Sequence, residues 1–588
     1  MTAPDGARRL LSTYLRPHRP AAVALVVLML GAAALPLLGP QLLRRFVDQA
    51  TAGRPLRLLI GTASAYLCVM LAGRFVNVLA TYEASKLAWT ATNQLREDLV
   101  EHILGLDLSF HGKHTPGELI ERVDGDVTNL ADFVARFLFQ LVGSALLLVG
   151  TVALVFREDA RIGAALVTFL ATATFTIVRL QRRAVPFATA DREAQAQLIG
   201  MLEERVGGAE DIRALGAADH TMHRFFEANA HVYRTDFAWQ VVSGRVWVAT
   251  NMLFALGTAL MLGLGVVFLR RGVLTIGAVV LLFQYTIMVR RPLDHVIQQF
   301  KQLQHAAAGA ARVVQLLGMH PTIVERPAAV ALPPSGPLAV HFESVTFAYP
   351  TDPAGDAEDD AVLHDVSFEL AAGRSLGLVG RTGSGKSTIA RLLLRLYETD
   401  QGVVRIAGTD VRDVQLASLR SRVRLVTQDV QLFAADLRDN LTLFARDGGI
   451  EDDRMVEVLH DLGLGEWFAS LPHGLDTVLR GDVSAGEAQL LAFARVFLVD
   501  PGLVILDEAS SRLDPATEQL IDRAVDRLLE NRTAILIAHR LSSLERVDEI
   551  AVVDHGRLVE HGSRVQLAAD PASRFGHLLA VASTGSGR

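Results

Sequence analysis

Six long apolar runs dominate the first half of the chain, at about Ala21–Leu43, Leu58–Leu79, Phe137–Phe156, Ile162–Val178, Val246–Leu269 and Leu274–Val289. An apolar helix of about 20 residues crosses the ~30 Å hydrocarbon core of a bilayer, so each run predicts a membrane span. The last is short and serves if its helix continues into water at one end. The first follows Arg8, Arg9, Arg16 and Arg19, and its Ala32-Ala33-Ala34 resembles a signal-peptide cleavage site. The apolar run continues past that point and more spans follow, which predicts an uncleaved first helix. An even number of spans puts both ends of the array on one side. Charge bias does not say which side, because the Arg44–Arg57 loop holds as many arginines as the N-terminal segment.

The spacing between runs is uneven. Spans one and two, three and four, and five and six are joined by short loops. About 55 residues (Ala80–Arg136) separate the second and third spans, and about 65 (Arg179–Arg245) the fourth and fifth. Both long connections are rich in helix formers, and each has one break. These are Gly112-Lys113-His114-Thr115-Pro116-Gly117, followed by Glu118–Val123, and Gly207-Gly208-Ala209-Glu210, followed by Asp211–Ala214. The pattern predicts two helical hairpins leaving the membrane, each with a short transverse helix at its tip. Arg74 and Asn77 fall within the second span, where a polar residue faces either a functional cavity or a structural partner.

After the sixth span, Arg290–Leu317 reads as a continuing helix. Pro321, Pro327, Pro333, Pro334 and Pro337 then mark an irregular linker. From Ala339 the texture becomes short β-runs alternating with helices. The predicted fold class is multidomain: an all-α six-helix transmembrane domain with long helical extensions, then an α/β domain. The segments are 1–20, 21–317, 318–338, 339–580 and a tail, 581–588. The acidic run Asp352–Asp360 reads as a solvated surface loop.

Composition adds limits. Half of the 588 residues are hydrophobic, and the mean hydropathy of +0.30 is accounted for by the spans. A net charge of −7 is mild for this length and says nothing about nucleic acid. The single cysteine, Cys68, excludes a disulfide framework or a cysteine-based metal site within the chain.

The α/β half carries the chemistry. Gly380-Arg381-Thr382-Gly383-Ser384-Gly385-Lys386-Ser387-Thr388 lies between an apolar strand, Ser375–Val379, and a helix, Ile389–Tyr397. In such a loop the backbone N–H groups curl around phosphates, the lysine adds a cation, and the serine hydroxyl can ligate Mg²⁺. The helix behind it turns its positive end towards the same anion. Leu503–Leu506 is a buried strand ending in Asp507 and Glu508. One acid there can hold Mg²⁺ and the next can polarise an attacking water. Ala534–Ala538 is another apolar strand, ending at His539.

Taken in order, these pieces resemble the nucleotide-binding domain of an ABC transporter. Tyr349 matches the aromatic that stacks on adenine, and Gln428 the glutamine loop that contacts Mg²⁺. Val483-Ser484-Ala485-Gly486-Glu487 stands at the signature position, with Asp514 in the aspartate loop and His539 as the switch histidine. The first half resembles the six-span exporter core, with coupling helices near Gly112–Val123 and Gly207–Ala214. The resemblance implies ATP and Mg²⁺ as cofactors, with Glu508 as general base and Lys386 and His539 on the γ-phosphate. Ser387, Gln428 and Asp507 would serve the metal. It also implies a dimer, because Ser484, Ala485, Gly486, Glu487 and Asp514 complete a partner's site.

Two departures bear on that dimer. The usual Leu-Ser-Gly-Gly-Gln is changed at Val483, Ala485 and Glu487, and the approach to it from Thr477 is contracted to Val478–Asp482. Both favour a heterodimer with a second half-transporter. The nucleotide domain must meet ATP, which places it and both termini in the cytoplasm, with the spans in the cytoplasmic membrane. The expected activity is ATP-driven export of a small hydrophobic or amphipathic substrate. The alternative on the same fold is import of a siderophore or vitamin. A soluble ATPase acting on ribosomes or DNA is excluded by the spans, so nucleic acid is not an expected partner.

Overall fold

A computed structural model describes residues 13–133, 139–350, 361–445, 449–480, 483–507, 515–538 and 541–585. The chain divides into two compact units, Met1–Leu104 with Pro116–Met319, and Gly105–Thr115 with His320–Arg588.

The first unit is helical. Its long elements are α1 (Arg19–Thr51), α2 (Leu56–Leu104), α3 (Phe139–Glu158), α4 (Ala160–Gly207), α5 (Ala218–Arg270), α6 (Ile276–Met288) and α7 (Arg290–Leu317). Among the described residues, six helices are long and apolar enough to cross a membrane, in agreement with the six runs. Phe137, where the third run begins, lies outside the described residues. The helices outlast their apolar runs, so the long connections are continuations of α2, α4 and α5.

Caps explain where the short connections sit. Asp159 accepts from Arg161 N at 2.8 Å and opens α4. At the start of α6, Thr275 Oγ1 accepts from Ala278 N at 3.1 Å. Asp48, near the end of α1, accepts from Gly277 N at 2.9 Å and from Thr275 Oγ1 at 3.0 Å. A Cβ at Gly277 would stand 2.5 Å from Arg44 O, so only glycine permits this approach. Tyr285, fully buried in a cluster with Leu166, Met261 and Leu281, donates its hydroxyl to Leu37 O at 2.9 Å. Apolar side chains such as Leu71, Phe75 and Val78 are exposed, as a lipid-facing surface requires.

The two hairpin breaks resolve differently. Gly208 is followed by a short helix, Ala209–Ala214, where the sequence predicts one. In the first hairpin the short helix is Leu108–Lys113, earlier than predicted, and it belongs to the second unit. Pro116 starts the returning helix, as proline at a first helical position does, so Glu118–Val123 is its first turns and not a transverse helix. That return contains a π-helical stretch, Glu121–Asp126. Asp126, 1% exposed, accepts from Arg312 Nε at 2.8 Å and so ties α7 to the hairpin.

The second unit has two sheets. Strands β1 (Val340–Ala348), β2 (Ala361–Leu370), β4 (Gln401–Ile406) and β5 (Thr409–Asp410) form an antiparallel sheet in the order β2-β1-β4-β5. The larger sheet runs β10-β9-β3-β8-β7-β6. Its members are β3 (Ser375–Val379), β6 (Val423–Val426), β7 (Leu503–Asp507), β8 (Thr533–Ile537), β9 (Glu549–Asp554) and β10 (Arg557–Ser563). Strands β3 and β8 are buried at every position, which is why they read as unbroken apolar runs and not as alternating ones. Helices α8 (Lys386–Leu393), α9 (Ala485–Phe497) and α10 (Pro515–Leu529) belong to the same unit. The proline-marked segment is packed here. Val330 N donates to Asp413 O at 2.8 Å, and Leu332 and Leu338 are buried. Asp107, just before the short helix Leu108–Lys113, accepts from Thr322 Oγ1 at 2.6 Å.

Candidate nucleotide-binding site

Parallel pairing aligns the strands that carry the candidate residues. Leu378 of β3 faces Ile537 of β8, Ile537 faces Asp507 of β7, and Leu506 faces Val426 of β6. The loop 380–385, Asp507 and Gln428 therefore emerge at one edge, the carboxyl ends of the strands, where open α/β sheets bind ligands.

The loop is shaped by its own residues. Gly383 and Gly385 have φ of 84° and 103°, which L side chains rarely adopt. A Cβ at Gly380 would stand 2.1 Å from Val553 O. Lys386, 5% exposed, donates to Gly380 O at 2.8 Å and Arg381 O at 3.0 Å, so the ammonium sits inside the curl. Ser384 Oγ is buried with no hydrogen-bond partner among the described residues, an orphan donor that a phosphate oxygen would satisfy. Arg381 and Thr382 lie on the exposed arc of the same loop.

Ser387 and Asp507, separated by 120 positions, meet: Ser387 Oγ donates to Asp507 Oδ2 at 2.9 Å. A hydroxyl and a carboxylate side by side are hard oxygen ligands of the kind Mg²⁺ takes. That pair therefore fits the ion, and Gln428 is exposed just beyond β6. Tyr349 is also placed here. Its hydroxyl is 2.9 Å from Thr388 Oγ1 and accepts from Arg391 Nη1 at 2.9 Å, and its ring meets Phe347 and Tyr397 edge-on. Arg391 went unnoticed in the sequence, although its position one turn beyond Thr388 puts both on one helix face.

Asp548 was missed as well. It accepts from Ser375 N at 3.0 Å, from Ser375 Oγ at 2.9 Å and from Arg374 Nη1 at 3.2 Å, anchoring the strand that feeds the loop. Burial raises its pKa, but the Ser375 and Arg374 hydrogen bonds outweigh that and hold the carboxyl below its ordinary range.

The signature position is the start of a helix. Ser484 caps α9: its Oγ accepts from Glu487 N at 3.3 Å, and Glu487 Oε2 accepts from Ser484 N at 2.8 Å, a reciprocal capping box. Ser484 and Ala485 are exposed, whereas Gly486 is buried against Thr517, whose Cγ2 would be 2.3 Å from an added Cβ. The approach to it pairs with another segment, with Leu437 N donating to Thr477 O and Leu479 N to Ala435 O, both at 2.9 Å. Glu508, Asp514 and His539, together with the acidic run from Asp352 to Asp360, lie outside the described residues.

Comparison with known proteins agrees with both units. Residues 22–293 match the family described as ABC transporter transmembrane region, and residues 363–511 match ABC transporter. The chain is 32% identical to the uncharacterized ABC transporter ATP-binding protein YknV of Bacillus subtilis (strain 168), over 98% of this chain and 94% of that one. It is 34% identical to the fatty acid ABC transporter ATP-binding/permease protein of Mycobacterium tuberculosis (strain CDC 1551 / Oshkosh), over 81% of this chain and 74% of that one. Among solved structures, a bacterial Atm1-family ABC exporter with ATP bound superposes with a TM-score of 0.75 at 27% identity, covering 96% of this chain and 98% of that one. The chain belongs to the ABC transporter family, as an exporter-type half-transporter with an ATPase domain.

Proposed function

We propose that the protein couples ATP binding and hydrolysis, within a dimer, to export of a hydrophobic or amphipathic substrate across the cytoplasmic membrane. The observation that carries this reading is the contact of Ser387 with Asp507 beneath the curled loop, in a chain that also has six membrane-length helices. The loop amides, Lys386 and the orphan Ser384 hydroxyl would cradle the phosphates, and Tyr349 would meet the base. Ser387, Asp507 and Gln428 would hold Mg²⁺, which neutralises charge on the β- and γ-oxygens when bound. Glu508 would take the proton of the attacking water, and His539 would reach the γ-phosphate.

One chain supplies a phosphate loop and a signature helix, but each composite site needs the loop of one chain and the signature of another. Dimerisation is therefore part of the mechanism. Glu487 and the contracted approach to the signature support pairing with a different half-transporter, in which this chain's loop and acids serve the competent site. The need for ATP supports a cytoplasmic nucleotide-binding unit, with both termini on that side. The name of the mycobacterial relative supports a lipid-like cargo.

Transport direction is tested in inside-out membrane vesicles. Export predicts ATP-dependent accumulation of substrate in the lumen. ATP-driven loss from the lumen, with uptake by whole cells, would instead assign the protein to import.

A further inference from the structure

A cavity of about 1290 Å³ lies within the helical unit, bounded by α1, α2, α3 and the junction of α6 and α7. It exceeds the ~300–1,000 Å³ of ordinary small-molecule sites. Its lining is of mixed chemistry, with apolar Ile287 and Met288 next to the α6–α7 junction. Met29, Ala32, Ala33 and Leu147 supply apolar surface, whereas Asn77, Thr81 and Ser85, spaced four apart, contribute a polar stripe of α2. Gln140 and Ser144 do the same from α3.

Two cations, Arg290 and Arg291, also line it, and no acidic residue is among the described residues that line the cavity. Among the described residues, Arg290 is held in place by neutral groups. Its Nη2 donates to Asn251 Oδ1 at 2.6 Å, and its guanidinium lies 5.5 Å from the centre of the Phe254 ring. Arg291 has no ion pair or hydrogen bond among the described residues and is exposed. The helical ladder lacks one bond at this junction, although Val289 keeps helical dihedrals, φ −69° and ψ −23°. Pro292 has no N–H to give the carbonyl of Met288, and α6 stops there. Charged side chains at a membrane span occur where they line a functional cavity. Guanidinium groups bind carboxylate and phosphate oxygens in paired hydrogen bonds.

We propose that the cavity takes an amphiphile with an anionic head group, the head bound by Arg290 and Arg291 and the apolar tail against α1 and Leu147. This rests on the reading of the chain as an ATP-driven exporter and specifies the class of its cargo. The shared chemistry is an acidic oxygen head, either a fatty carboxylate or a lipid phosphate.

The test uses the full-length dimer in phosphatidylcholine nanodiscs, with ATPase rate read against palmitate, palmitoyl lysophosphatidate, hexadecanol and hexadecyltrimethylammonium. Saturable stimulation by one or both anions, and by neither of the other two, is expected; which anion responds assigns the source. Changing both arginines to glutamine should raise the half-maximal anion concentration by about tenfold or more, and changing both to lysine by no more than about threefold. Equal stimulation by hexadecanol, or an unshifted half-maximum in the glutamine variant, overturns the proposal. The comparison of probes on the unaltered protein stands even if the double variant does not fold. Failure of the exporter reading is distinguishable, because it shows as ATP-driven loss of substrate from the lumen of inside-out vesicles, whichever lipids stimulate the ATPase.

Discussion

Glu487 places a carboxylate in the first turn of α9, locked to Ser484 by the capping box. The arrangement stabilises the helix start, but it also sets a negative charge against the positive helix end that would face a partner's γ-phosphate. Glutamine can accept the same bond from Ser484 N without the charge. Glu487→Gln is therefore expected to keep the fold and to raise ATPase of the assembled dimer about threefold to tenfold, for relief of about 1 kcal/mol of repulsion. Unchanged or reduced turnover would show that the carboxylate does not weaken the site. At this scale the sequence was informative where chemistry is local. The phosphate loop is contiguous, and its glycines could be read from their spacing. The Tyr349–Thr388–Arg391 contact was only half legible, since it joins the end of β1 to α8 across 39 positions.

Among the elements, β3 matters most to the site, because the loop begins where it ends. Its first residue is fixed by Asp548, 173 positions away, and no local pattern announces that bond. The Asp548 pKa is depressed on folding. Its stabilisation is thus fully present above the unfolded value of about 3.9 and is lost as pH falls through the lower folded value. Asp548→Ala should lower stability of the α/β unit by about 1 kcal/mol at pH 7, because its side chain is 41% exposed and solvent screens its bonds. Hydrogen exchange of the Ser375–Val379 amides in the full-length protein would record this. The difference from the unaltered protein should shrink below about pH 4; a difference independent of pH would contradict the account. The membrane spans were legible because a run of about 20 apolar residues has few other readings. The first hairpin tip was not. Its short helix, Leu108–Lys113, is fixed by tertiary contacts such as Asp107 with Thr322, and six residues carry too little periodicity to announce it.

For the whole molecule, the decisive feature is incompleteness: one phosphate loop and one signature helix per chain. Purified alone, the chain is expected to show weak ATPase, and co-expression with its partner half-transporter should raise the rate at least about tenfold. A stable homodimer with robust, substrate-stimulated activity would refute the pairing proposed here. The most direct test of ATP-driven function is Glu508→Gln in the reconstituted dimer, with ATP binding and phosphate release measured on the same sample. The account predicts that ATP binding stays within about twofold while hydrolysis falls at least about a hundredfold. Near-normal phosphate release from that variant would contradict it.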